Sequence, residues 1–263
     1  MKAKKKRNLS SVRAESNHFG KGLSFAAAEA YKLLRTNLMF CTGDGEGRVI
    51  GVTSSVSGEG KSTTTINLAY ALAESGRKVV LLECDMRRPT IARRMHLPSS
   101  PGLSNLIVGL SAPHEVLHKS SLHDNLHVIP AGDIPPNPSE LLGSERMRLT
   151  VQSLVEDYEF VLFDLPPVTA VSDALVAANL VQGMIVVVRQ DVCSRSALRE
   201  TMRQLQFIKD KVLGFVFTCS TDEGKGSYRK KKYYKRGYGY GYGYGYGERP
   251  KAAADIAKSA DKE

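Results

Sequence analysis

Short runs that are apolar at nearly every position alternate along this chain with longer stretches whose apolar positions recur every three or four residues. The first pattern belongs to strands buried on both faces, the second to helices with one covered side. Residues 49–52, 78–83, 126–131, 160–164, 183–189 and 212–218 read as strands. Residues 25–40 read as a helix capped by Ser24, with Ala28, Leu33, Leu34 and Leu38 supplying its apolar side. Residues 62–75, stopped by Gly76, and 194–209 read as two more, and a further helix capped by Ser139, with Glu140 behind it, follows the rigid loop 132–138. Pro98, Pro101 and Pro113 break residues 90–119 into short helices. Strand and helix alternate through the whole body. That predicts an α/β fold with a doubly wound, mainly parallel sheet of five or six strands.

The ends of three of these strands carry chemistry. The first runs into Gly58, Glu59, Gly60, Lys61, Ser62 and Thr63 at the start of a helix, which is the strand, glycine-rich turn and helix order of a phosphate-binding P-loop. Glycine lets backbone N–H groups close on phosphate oxygens, Lys61 reaches the outer phosphates, and the Ser62 hydroxyl ligates Mg²⁺. Ser55 stands where the usual pattern has its first glycine. The second strand ends in Glu83, Cys84 and Asp85, and the strand at 160–164 ends in Asp164. Ligands bind beyond the C-terminal ends of strands in open α/β sheets. Asp85 and Asp164 are therefore candidates to hold Mg²⁺, and Glu83 or Asp85 to accept a proton from an attacking hydroxyl. Helix capping is the alternative for all three acids. Loop 132–138 leaves the same end of its strand and borders the same region. The histidines read as surface groups rather than metal ligands, with His114 and His118 on one helix face.

Charge changes the picture only after it is divided. The 263 residues carry +10, of which residues 1–13 hold +6 and residues 222–263 hold +5, leaving the body near neutral. Basic arms on a neutral body point to segments that touch an anionic partner or merely solubilise, and to no dedicated nucleic-acid site. No apolar run approaches the roughly twenty residues of a membrane helix, so a cytoplasmic protein is expected. The four cysteines lack metal-ligand spacing and read as reduced and mostly buried. Three segments result: a basic flexible arm over 1–24, a P-loop domain over 25–220, and a tail over 221–263. The tail holds Tyr228, Tyr233, Tyr234, Tyr238, Tyr240, Tyr242, Tyr244 and Tyr246. Glycine at every second place from 237 leaves no second face to pack and costs backbone entropy, so the tail reads as disordered, whether as a linker, an RNA-binding segment or a modified arm.

Five motifs in this order, followed by a tyrosine cluster, resemble the bacterial tyrosine kinases (BY-kinases) that regulate capsular and exopolysaccharide synthesis, of the type separate from its membrane adaptor. They are Glu-Ala-Tyr-Lys-Leu-Leu-Arg-Thr-Asn-Leu (29–38), Gly-Glu-Gly-Lys-Ser-Thr (58–63), Cys-Asp-Met-Arg-Arg-Pro (84–89), Ile-Pro-Pro-Asn-Pro-Ser-Glu-Leu-Leu (134–142) and Phe-Asp-Leu-Pro-Pro-Val (163–168). The resemblance implies a Walker A loop at residues 58–63, a Walker A′ element at Asp85 and Arg87, and Walker B at Asp164. It implies transfer of the ATP γ-phosphate, with Mg²⁺, to tyrosines of a neighbouring subunit's tail. It also implies activation by the cytoplasmic segment of a polysaccharide co-polymerase-type membrane adaptor that recruits the kinase to the inner face of the membrane, and reversal by a protein tyrosine phosphatase. Glu29, Lys32 and Arg35 match a motif that assembles such kinases into rings; as residues alone they are a contact strip or a solvated face.

The sequence departs from that family at four places. Glu83 is one methylene longer than the usual Asp, Lys32 replaces an Arg and loses its fork, Ser57 replaces a Pro, and Thr218 stands where related ATPases place an adenine-reading Asn. The competing class is a regulatory ATPase switch of the partitioning or cell-division type. Those proteins carry a signature Lys at the position of Val56.

Overall fold

The computed structural model describes residues 19–43 and 47–218. A short 3₁₀ turn, Gly20–Gly22, leads into α1 (Phe25–Thr42), then β1 (Arg48–Ser54), α2 (Lys61–Glu74) and β2 (Val79–Glu83). Three short helices follow, α3 (Ile91–Arg94), α4 (Leu103–Val108) and α5 (Pro113–Val116), then β3 (His118–Lys119) and β4 (Leu126–Ile129). The remainder is α6 (Pro138–Leu142), α7 (Glu145–Asp157), β5 (Phe160–Asp164), α8 (Asp173–Ala177), β6 (Gly183–Arg189), α9 (Arg195–Leu205), a 3₁₀ stretch Gln206–Lys211, and β7 (Val212–Thr218).

The strands form one sheet in the order β3-β4-β2-β5-β1-β6-β7. Every pairing is parallel except β3 with β4. Seven strands exceed the five or six expected because β3 is two residues long and too short to show a period. Successive strand residues feed opposite layers. Ile50, Val79 and Phe160 pack with Leu38 of α1 and with Ile66, Leu68 and Leu72 of α2. Val49, Val80 and Val161 pack with Leu103 of α4, Met147 and Val151 of α7, and Leu205 of α9. Each fully buried Leu or Ile contributes roughly 1.5–3 kcal/mol, which is why these strands read as continuous apolar runs. Helix α2 is enclosed between sheet and α1 and is buried from Thr64 to Ala73.

Several boundaries differ from expectation. The packed body begins at Phe19, inside the arm expected over 1–24: Phe19 is buried against the α2 layer, and the Gly20 N–H donates to Asn67 Oδ1 at 3.1 Å. Helix α6 starts at Pro138, whose ring pre-sets the helical φ, so Ser139 lies inside the helix rather than capping it. His118 belongs to β3, not to a helix shared with His114. Of the cysteines within the described residues only Cys84 is buried; Cys41 is exposed on α1 and Cys193 is half-buried in the loop before α9. Ser24 does cap α1, accepting from the Ala27 N–H at 3.3 Å. The chain divides between Ser220 and Thr221. The first eighteen residues of the arm, and the tail with its eight tyrosines, lie outside the described residues. Among the described residues no helix is long and apolar enough to cross a membrane.

Candidate active site

Strand order places the C-terminal ends of β2, β5 and β1 side by side, with Glu83 level with Asp164 and Asp164 level with Val52. Residues 55–60 turn from β1 into α2 at this end. Gly58 and Gly60 adopt φ of 86° and 94°, in the left-handed region that glycine occupies without strain. Glu59 between them, expected among the nucleotide-binding residues, faces the other way. It is fully buried, and its carboxylate accepts from the Val56 N–H at 2.7 Å and the Arg189 N–H at 3.3 Å. Its carbonyl accepts from the Thr218 hydroxyl at 2.7 Å. Glu59 and Thr218 thus brace the loop against β6 and β7.

Lys61, Ser62, Asp85 and Asp164 converge. Lys61 Nζ lies 2.8 Å from Asp85 Oδ2 and 3.5 Å from Asp164, and Ser62 Oγ donates to Asp164 Oδ2 at 2.6 Å. Thr65, one helical turn past Lys61, adds a hydroxyl 3.4 Å from Asp164 Oδ1. Asp85 also accepts from the Arg88 N–H at 3.1 Å, which closes the turn after β2. Burial alone would depress the Lys61 pKa, but Asp164 and Asp85 outweigh it and raise it, so Lys61 remains an ammonium. Burial raises the Asp164 pKa above the ordinary carboxylate value, and Lys61 and Ser62 offset this only in part. Among the described residues no three His, Cys, Asp or Glu side chains gather as a ready-made metal cage. The donors that do gather, one hydroxyl and two carboxylates beside a phosphate cradle, suit Mg²⁺, which takes one or two carboxylates and completes its shell with water and substrate phosphate.

Two further predicted site residues are held elsewhere. Glu83 is fully buried, and its carboxylate accepts from the N–H groups of Thr90 and Ile91 at the start of α3 and from Ala131 N–H at 3.3 Å. It is therefore a brace between β2, α3 and the loop after β4. Burial raises the Glu83 pKa, and these amides lower it in part. Arg87, expected at the nucleotide, instead holds Asp173 at the start of α8 with Nε and Nη2, at 2.9 and 3.1 Å. Ser139 of α6 donates to the same carboxylate. Asp173 and Ser139 carried no sequence signal beyond helix-start chemistry. Thr65 was legible as a hydroxyl three residues after Ser62.

On α1, Glu29 and Lys32 pair with each other at 2.9 Å on the surface, whereas Arg35 donates to the Ala71 carbonyl of α2 at 2.9 Å. Thr63 is turned to Arg94, whose Nη1 donates to its hydroxyl at 2.7 Å. Both line a cavity of about 670 Å³ whose lining also includes Gly60, Phe19, Tyr31 and Asn67.

A family described as an AAA domain matches residues 47–214. The chain is 34% identical over 189 residues to the tyrosine-protein kinase YwqD of Bacillus subtilis (strain 168), covering 72% of this chain and 79% of that one. It is 32% identical over 201 residues to the putative tyrosine-protein kinase CapB of Staphylococcus aureus, covering 76% and 88%. Among solved structures, the chimerical protein CapA2B2 is similar with a TM-score of 0.71 at 31% identity, over 80% of this chain and 90% of that one.

Proposed function

Because this chain belongs to the bacterial tyrosine-protein kinases built on the AAA-type P-loop domain, we propose that it transfers the γ-phosphate of ATP to the tyrosines of its own C-terminal tail. The observation that carries the proposal is the convergence at a glycine-rich turn of Asp164 with Ser62 (2.6 Å) and of Lys61 with Asp85 (2.8 Å) and Asp164 (3.5 Å). Backbone N–H groups of the turn and the N-terminus of α2 bind the phosphates. Lys61 leaves its carboxylates to contact the outer phosphates. Ser62, Asp85 and Asp164 would hold Mg²⁺, which when bound supplies charge neutralisation of those phosphates. Asp85, released from Lys61, is then the acceptor for the proton of the attacking phenol, whose pKa near 10 leaves it protonated at neutral pH. The tyrosine oxygen forms the new P–O bond as the bond to the β-phosphate oxygen breaks, leaving phosphotyrosine and ADP.

The acceptors in this proposal are Tyr228 to Tyr246 of a neighbouring subunit. Seventeen residues separate Thr221 from Tyr238, roughly 60 Å fully extended and about 20–25 Å as a coil, enough to enter an adjacent site. Assembly through α1 is supported by its exposed Phe25, Leu33 and Phe40 beside the Glu29 and Lys32 pair. The wider setting follows the family resemblance: a ring switched on at the membrane by an adaptor's cytoplasmic segment, reversed by a phosphatase, and governing capsular or exopolysaccharide synthesis. The test is incubation with γ-labelled ATP and Mg²⁺, with and without an adaptor segment, beside Lys61→Met and a version ending at Ser220. Label on tail tyrosines that disappears in both variants is expected. ATP hydrolysis with no phosphotyrosine in either condition would overturn the kinase in favour of an ATPase switch.

A further inference from the structure

The cation usually credited with phosphate binding is heavily compensated here. Lys61 sits between Asp85 and Asp164, so on its side of the loop one positive charge faces two negative ones. An incoming nucleotide brings more negative charge. Arg94 reaches the same helix start from α3, and its contact there is a neutral one, Nη1 to Thr63 Oγ1 at 2.7 Å; it makes no ion pair among the described residues. A guanidinium has five N–H donors in a planar fork, so a single bond to Thr63 leaves capacity for an anion.

The rest of the fold holds Arg94 at that place. It ends α3, whose first amides are gripped by the buried Glu83 carboxylate, and Ile91 and Ala92 of the same turn are buried. Arg94, Thr63 and Gly60 all line the 670 Å³ cavity, as do Phe19 and Tyr31. Phosphates seated on the turn with their outer end toward Lys61 and Ser62 would direct their inner end, the one that bears the nucleoside, past Thr63 into this cavity.

Building on the nucleotide reading above, we propose that Arg94 is a phosphate-binding residue that takes the α-phosphate of the nucleotide, while Lys61 takes the outer phosphates.

The test is equilibrium binding of ADP and of ATP, each with Mg²⁺, to the full chain, compared with Arg94→Ala and Arg94→Lys, with the melting temperature of each protein recorded without nucleotide. Arg94→Ala should bind both nucleotides roughly tenfold or more weakly, by a similar factor for the two, and Arg94→Lys should fall between, since it keeps the charge but loses the fork. The unliganded melting temperature should stay close to that of the wild type. Unchanged affinity in Arg94→Ala, or a loss confined to ATP, would overturn the assignment while leaving the nucleotide site in place. A wild-type chain that bound neither nucleotide would remove the site and the assignment together.

Discussion

Arg87 reaches across 86 positions of sequence to hold the fully buried Asp173 with two parallel bonds of 2.9 and 3.1 Å. Asp85 lies two residues before Arg87, so this pair, with Ser139 on the same carboxylate, fixes the turn that carries Asp85 toward Lys61. Asp173→Ala should loosen that turn and lower phosphoryl transfer together with the melting temperature. In a double-mutant cycle with Arg87→Ala the coupling should be about 1 kcal/mol, at the low end for a bidentate pair because Arg87 is partly exposed. Additive losses would show that the two residues act independently.

Asp164→Asn keeps an acceptor for Ser62 but removes the charge facing Lys61. Transfer should fall by roughly a hundredfold or more, the usual cost of removing a group that organises charge in a phosphoryl-transfer site. ADP affinity should change far less, because backbone amides and Lys61 still meet the phosphates. Parallel measurement of label incorporation and ADP binding checks the split; equal loss in both would make Asp164 a binding residue only.

Glu83→Ala leaves the amides of Thr90, Ile91 and Ala131 without their acceptor inside the protein. Each such loss costs about 1–3 kcal/mol, so a large drop in melting temperature is expected. The pH response carries its own sign. Burial raises the Glu83 pKa above its ordinary 4.5, so the folded chain holds that proton to higher pH than the unfolded chain. Stability contributed by this group is then lost as pH rises from 4.5 through the folded value. Urea midpoints across that range should slope less in Glu83→Gln than in the wild type; an unchanged slope would mean that Glu83 does not titrate there.

The three residues of the α1 motif should separate by experiment. Arg35→Ala removes the bond to Ala71 that ties α1 to α2, worth about 1 kcal/mol, or about 2–4 °C in melting temperature for a body of this size. Glu29→Ala or Phe40→Glu touches only the exposed face and should reduce subunit number in light scattering with little change in melting. Arg35→Ala that disrupts assembly at an unchanged melting temperature would place that side chain at the interface after all.

Much of this architecture was legible in the sequence. Strand runs such as 160–163 and 184–188 declare themselves because both of their faces are buried and their side chains are apolar throughout. The glycine-rich turn was legible because neighbouring residues there must adopt conformations that only certain side chains allow. Asp85 and Asp164 were legible as carboxylates at the ends of such strands, where an open parallel sheet exposes its ligand-binding edge. Ser139 was misread as a cap because the stronger local signal, proline at the first helical position, lay one residue earlier.

The sequence by itself determined the layers, the loop and which residues end the strands, since those follow from period, backbone preference and turn chemistry within a few neighbouring positions. Only the tertiary structure decided which partner each polar group finds: Glu83 with the amides of α3, Glu59 with Arg189 and Thr218, Arg87 with Asp173, Arg94 with Thr63. Those pairings depend on the strand order β2-β5-β1-β6-β7 and on how short helices settle over the ends of the strands. Such contacts join segments up to 159 residues apart, and no local rule of period or capping encodes them, because they are set by the packing of the whole sheet.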